Sequence, residues 1–515
     1  MRIRRTAPLL AVGVTATLIP ALAPTQATAA DSLEQFRNQK PSWHRCDSSM
    51  PASYQCATIK VPLDYKRPTG KKIKLAISRI KTSKPGKRHG VMLFNPGGPG
   101  GEGLSMPMMM KGTMPKKLQE KFDLVGFDPR GVGQSSPVSC KLSGQEENFL
   151  RPYTPETFDR DVSWARKTAD KCRDKSGDKL PYITTRNTAR DMDVIRSVMG
   201  EKKISYLGYS YGTYLGAVYA EMFPKRTDRF VLDSAVDPAR IWRGMIQVWA
   251  EGTEPAFDRW TKWTAKRNST FKLGKTPGEV RKTFYDLVKR ADKDPIEYND
   301  EKLDGTMIRG MTRSEFFSPK QAAHTVSDLK KAADGRTVRR GSAAPAPQPA
   351  DNGTASFLAV VCGDTAAWPR DTEQYRKDSV TEKAKYPLFG DYASNIMPCA
   401  FWDKPKEPAT TFGDAPGVMV VQNQWDSQTP LTSGLGMHHA MKGSRLVYVK
   451  GGEGHGVYSE DPALCANRAV NAYLGSGKLP AENVTCEATS TRNREAAERP
   501  GPTPKRVPGG VPGRF

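Results

Sequence analysis

The chain has 515 residues, is 37% hydrophobic and 26% charged, and carries a formal net charge of +24. That length allows a large core and more than one structural unit. The charge does not mark a nucleic-acid binder. Its basic residues are scattered, with no dense run interleaved with aromatics and no helix-turn-helix or finger spacing, so it reads as surface charge suited to anionic cell-wall polymers.

The first 30 residues read as a signal peptide. Arg2, Arg4 and Arg5 form a positive start, Leu9 to Leu22 an apolar stretch, and Ala27-Thr28-Ala29-Ala30 a small-residue cleavage site before Asp31. Pro20 and Pro24 interrupt the stretch, which is too short for a spanning helix. Arg4-Arg5 also permits a twin-arginine route. The expectation is a secreted protein, extracellular or associated with the cell wall, with no integral membrane segment. An even set of cysteines in an exported chain implies disulfides. Pairing neighbours gives Cys46–Cys56, Cys140–Cys172, Cys362–Cys399 and Cys465–Cys486. No C-x-x-C spacing suggests zinc.

Residues 31–45 read as helical. Ala57 to Pro62 and Lys72 to Ile80 alternate polar and apolar residues, as antiparallel strands do. Gly90 to Phe94 and Phe122 to Phe127 are continuous apolar runs, as expected of buried parallel strands. Thr188 to Met199 has helical spacing, with Asn187 as its N-cap. Ile204 to Leu207, Arg229 to Asp233, Gly417 to Gln422 and Ser444 to Val449 are further strands. Strands alternating with helices imply an α/β fold: a mostly parallel central sheet with helices on both faces. Residues 239–408 lack strong strand signals and read as an inserted helical cap, with helices at 240–263, 277–292 and 314–334 and a Pro/Ala linker at 341–350. The core then comprises residues 31–238 and 409–488, and residues 489–515 form a disordered tail.

The chemistry centres on Gly208-Tyr209-Ser210-Tyr211-Gly212, a G-x-S-x-G motif between a strand and a helix. A serine nucleophile needs a base, and the base needs an orienting acid. His455 follows the last long strand in a Gly-rich loop, and Asp426 follows the strand before it. His44 and His89 precede the serine, His324 lies in a cap helix, and His438 and His439 lie in another helical stretch. The Gly-rich run Asn95 to Gly101 follows an early strand and offers the Gly98 amide, with that of Tyr211, as an oxyanion hole. No Gly-Lys-Ser/Thr ending follows it, which argues against a phosphate loop. Asp128 to Ser135 reads as a tight loop bracing the rim through Asp128 and Arg130. No cofactor or metal is called for.

Asn95 to Gly101, Asp128 to Ser135, Gly208 to Gly216, Asp426 to Pro430 and His455 resemble the secreted tripeptidyl aminopeptidases of actinobacteria. These are α/β-hydrolases related to proline iminopeptidases. The resemblance runs from Cys46 to Cys486. It implies an α/β-hydrolase fold with a helical cap over a Ser-Asp-His site, and release of short peptides from the free N-termini of peptides or proteins. Glu102 stands where relatives usually carry a small residue, and Gly454 where they often carry Ser. A peptidase of this kind must bind an ammonium, for which Glu102 and Asp364 are the first candidates, then Glu251 and Glu254. An esterase or lipase, or a prolyl aminopeptidase, is the alternative on the same fold. The protein is expected to be a monomer.

Overall fold

The computed structural model describes residues 29–299, 301–316, 318–336, 349–459 and 464–488. Residues 1–28 of the signal peptide, the tail and most of the Pro/Ala linker lie outside the described residues. Ten strands form one sheet: β1 (His44–Arg45), β2 (Tyr54–Pro62), β3 (Lys72–Ile80), β4 (Gly90–Asn95), β5 (Phe122–Phe127), β6 (Ile204–Tyr209), β7 (Thr227–Asp233), and, past an insertion, β10 (Met419–Trp425), β11 (Arg445–Glu453) and β12 (Val484–Glu487). The insertion carries β8 (Ile296–Tyr298) and β9 (Glu301–Leu303) as a separate antiparallel pair. The large sheet runs β1-β2-β3-β5-β4-β6-β7-β10-β11-β12. The first three strands and the β3–β5 contact are antiparallel, and every later pairing is parallel.

The apolar runs explain the layers. Successive side chains of a strand point to opposite faces. Val91 and Leu93 of β4 therefore join one core while Met92 and Phe94 join the other. On the first face lie the helices Phe158–Ser176, Thr185–Val198 and Tyr211–Met222. On the second lie Met106–Thr113, Lys116–Gln119 and Cys465–Ser476. Strands buried on both faces cannot alternate polar and apolar residues, which is why β4 and β5 are buried along their whole length.

The insertion divides by its packing. Residues from Ala256 to Ala333, with Leu388, surround a third apolar cluster of their own. Ala355 to Cys362, Trp368, Tyr375 and Phe389 to Trp402 instead join the first core of the sheet. Asp351 and Asn352 anchor this second part. The Asp351 carboxylate accepts from Ser139, Cys140 and Leu142, and Asn352 bonds the backbone of Gly131, Gly133 and Val138.

Some local expectations are corrected. The 31–45 helix is Ala29–Arg37, and His44 and Arg45 pair as an edge strand. The N-cap of Thr185–Val198 is Thr184, whose hydroxyl accepts from the Asn187 amide, so Asn187 lies inside the helix. β8 and β9 escape notice in the sequence because three residues are too few to show a period. β11 runs on to Glu453, past its expected end at Val449. The eight cysteines bond as sequence neighbours, four bridges in all. Among the described residues no helix is long and apolar enough to cross a membrane.

Candidate active site

β4, β6, β7, β10 and β11 end side by side, and ligands of open α/β sheets bind outside such carboxyl edges. Ser210 stands at this edge between β6 and the helix Tyr211–Met222. Its backbone lies at φ 57°, ψ −125°, a conformation costing about 1–3 kcal/mol. Close packing holds it there. A Cβ on Gly208 would meet the Gly212 carbonyl at 2.5 Å, and one on Gly212 would meet Asn95 Oδ1 at 2.8 Å. The Ser210 amide donates to the Asp233 carbonyl at 3.0 Å, and the Thr213 hydroxyl donates to the Ser210 carbonyl at 2.6 Å.

The Gly-rich loop lies directly against this turn. Gly97 and Gly98 have φ of 102° and 111°. A Cβ on Gly97 would stand 2.9 Å from Ser210 Cβ. Asn95 Oδ1 accepts the Gly97 amide at 3.0 Å and so shapes the loop. Among the described residues neither the Gly98 nor the Tyr211 amide has an acceptor within the protein. Two unspent donors, one of them at a helix N-terminus, suit an anion forming on a substrate bound at Ser210.

His455 follows β11. Its Nδ1 lies 2.8 Å from Asp426 Oδ2 and 3.1 Å from Oδ1. Asp426 is 3% exposed and also accepts from the Gln428 and Thr429 amides and from the Thr429 hydroxyl. Acceptors on the Nδ1 side place the neutral ring's proton there and leave Nε2 as the base. Burial alone would push the imidazolium down. The Asp426 charge and hydrogen bond outweigh it, Asp233 adds to them, Arg313 opposes, and His455 stands above its ordinary value.

Residues outside the sequence motifs hold the histidine loop. Asn423 Nδ2 donates to the Gly454 carbonyl at 2.9 Å. The Gly456 amide donates to Ser234 Oγ at 2.7 Å, and the Val457 and Tyr458 amides donate to the Asp233 carboxylate at 2.9 and 2.7 Å. Asp233 is wholly buried, and burial raises it to about 6 despite these bonds. Its signal in the sequence is a carboxylate closing an apolar strand. From the insertion, Arg259 pairs with Glu453 and lies 4.7 Å over the Trp425 ring. Gly252 of the same helix packs against Ser427 and Pro430.

Asp128 and Arg130 brace the rim. Asp128 accepts the Gly103, Leu104 and Gln134 amides. Arg130 grips Asp191 through two bonds of 2.6 and 2.7 Å, both side chains fully buried.

The four acids considered for an ammonium fare differently. Glu102 lies exposed at the end of the Gly-rich loop. Partial enclosure, and then the nearby Asp128 charge, raise its carboxyl above the usual range. Asp364 accepts from the Thr185 amide and hydroxyl and from Trp242 Nε1, deep beneath the nucleophile helix. Glu251 takes the Thr432 hydroxyl, and Glu254 the Leu388 amide.

The parallel sheet and the groups gathered on its edge put the chain among the α/β-hydrolases that act as serine hydrolases. Residues 90–304 match the α/β-hydrolase fold family, and residues 386–486 the TAP-like protein family. The chain is 36% identical to the tripeptidyl aminopeptidase of Streptomyces lividans, over 87% of each chain. It is 30% identical to the serine protease Hip1 of Mycobacterium tuberculosis, over 87% of this chain and 91% of that one. Carboxylesterase B of the same organism is 31% identical, over 93% of this chain and 97% of that one. The chain belongs to the tripeptidyl aminopeptidase family and is a serine peptidase of the α/β-hydrolase class.

Proposed function

We propose that the protein is a secreted exopeptidase that releases short peptides, tripeptides above all, from free N-termini, with Ser210, His455 and Asp426 as its triad. The observation that carries the chemistry is the His455–Asp426 pair at 2.8 Å on the same sheet edge as the strained Ser210 turn. Ser210 Oγ attacks the scissile carbonyl while His455 Nε2 takes its proton. The Gly98 and Tyr211 amides receive the oxyanion. The C–N bond then breaks, His455 returns the proton to the leaving amine, and the acyl group stays on Ser210. Water, deprotonated by His455, hydrolyses that ester and frees the peptide. Asp426 fixes the tautomer and offsets the imidazolium charge.

Export is supported by four disulfides, which persist in oxidising compartments. The part of the 239–408 insertion with its own core, from the helix Arg243–Ala265 to Ala333, acts as the cap, supported by the Arg259–Glu453 pair and the Gly252 contact with the acid loop. Glu102 is the acid we assign to the substrate ammonium. Asp364 is set aside for that role, because Thr185 and Trp242 already occupy its carboxylate.

Matched peptides with free and acetylated N-termini test this reading. Acetylation removes the ammonium and adds bulk, so kcat/KM falls at least about 100-fold, roughly 2.7 kcal/mol. Equal cleavage of both overturns the exopeptidase assignment and leaves the triad intact. The likeness to carboxylesterase B favours esterase action as the second reading. Turnover of nitrophenyl esters with no cleavage of any peptide would establish it.

A further inference from the structure

Arg313 closes the helix Gly305–Arg313 in the insertion. Its side chain is 1% exposed, yet among the described residues its Nε and Nη1 find no hydrogen-bond partner. The guanidinium lies 4.4 Å from the centre of the Trp249 ring and 5.2 Å from that of Phe389. Trp249 belongs to the same helix as Gly252, which rests on Ser427 and Pro430 of the acid loop. Arg313 is near enough to Asp426 and His455 to interact electrostatically with both.

Arg130, buried as deeply, and Arg309, whose side chain is 14% exposed, are both paired. Arg130 has Asp191 and three backbone carbonyls, and Arg309 has Asp391 and the Leu388 carbonyl. Asp426 cannot serve Arg313 in the same way. Its two oxygens are already taken by His455, Gln428 and Thr429. Two aromatic faces and a helix C-terminus favour a cation, but together they return less than desolvating a guanidinium costs. Burial pulls Arg313 down to about 9, and the Asp426 charge opposes that only in part. A planar guanidinium with unmet donors on two of its nitrogens, held against two rings, suits a carboxylate.

We infer that Arg313 is a subsite for a carboxylate of the bound substrate, so that the enzyme prefers peptides carrying an acidic group close to the scissile bond. This rests on the peptidase reading above. The carboxylate comes either from an Asp or Glu side chain or from the C-terminus of a short peptide. Either would supply the missing counterion, in a setting too dry for solvent to screen.

Two series of peptides with free N-termini test it on the full-length enzyme. One series exchanges Asp or Glu for Asn or Gln at each position around the cleaved bond. The other exchanges a C-terminal acid for its amide. We expect at least a tenfold preference in kcat/KM for the acid in one series, carried mainly by KM. In Arg313→Met that ratio falls below twofold, and in Arg313→Lys it is intermediate, because an ammonium keeps the charge without the planar donors. The ratio is the readout, whatever the absolute rates. If Arg313→Met does not fold, the wild-type ratios and competitive inhibition by acidic against amidated tripeptides still decide. Peptides cut with no preference in either series would overturn the subsite alone. A preference unchanged in Arg313→Met would do the same. If no peptide is cut, the peptidase reading falls and the subsite with it.

Discussion

The Ser210 amide donates to the backbone carbonyl of Asp233, while the carboxylate of the same Asp233 receives the amides just beyond His455. One buried residue therefore sets the nucleophile turn and the histidine loop relative to each other. β6 and β7 place it, since Tyr209 and Asp233 are register partners at the sheet edge.

Asp233→Asn tests that role. An amide keeps one acceptor oxygen but turns an NH2 group toward backbone donors, so the loop shifts. Misplacement of this kind costs on the order of 100-fold in kcat with little change in KM. The substitution also removes a charge that helps hold His455 above its ordinary value. The acid limb of the kcat/KM profile should therefore move to lower pH. A fall in rate with an unmoved limb would show that Asp233 acts through packing alone.

The wild-type pH profile follows from the same imidazole. His455 works as a base only when neutral, and its protonated form is favoured by Asp426 and Asp233 more than it is disfavoured by burial and Arg313. Activity should be lost on acidification with a midpoint above 6.5, the ordinary value for histidine. Rates on a neutral peptide substrate between pH 5 and 9 check this. A midpoint below 6.5 would contradict the electrostatic account.

Ser210→Ala should fold normally and lose on the order of 10⁴-fold or more in kcat. A fluorophosphonate should label wild-type enzyme at Ser210 and leave the variant unlabelled. More than a tenth of wild-type activity in the variant would remove Ser210 from the nucleophile role.

Arg130→Met would leave Asp191 charged and buried, with Tyr65 its only side-chain hydrogen-bond donor among the described residues. Breaking one side of such a pair costs about 3–5 kcal/mol. The urea midpoint should fall accordingly, with an unchanged denaturant slope. Restoring stability by adding Asp191→Leu would confirm that the unpaired charge is the cause.

Much of the site is legible in the sequence because its signals are local. Ser210 sits in a five-residue motif whose glycines are dictated by contacts within the turn and with the neighbouring strand. Asp426 and His455 each follow an apolar strand, and that placement together with chain order separates them from the other carboxylates and histidines. The long parallel strands show as unbroken apolar runs because both of their faces are buried. What the sequence does not reveal depends on pairs far apart in the chain. Asp233 reads as the end of a strand until the fold brings Val457 and Tyr458 to it. Asp364 reads as a free acid in the insertion until Thr185 and Trp242 close on it. Arg313 reads as one of many surface cations until Trp249 and Phe389 bury it beside the acid loop. A carboxylate or a guanidinium takes its role from what replaces its water. Those replacements come from residues tens to hundreds of positions away, so only the tertiary structure decides them.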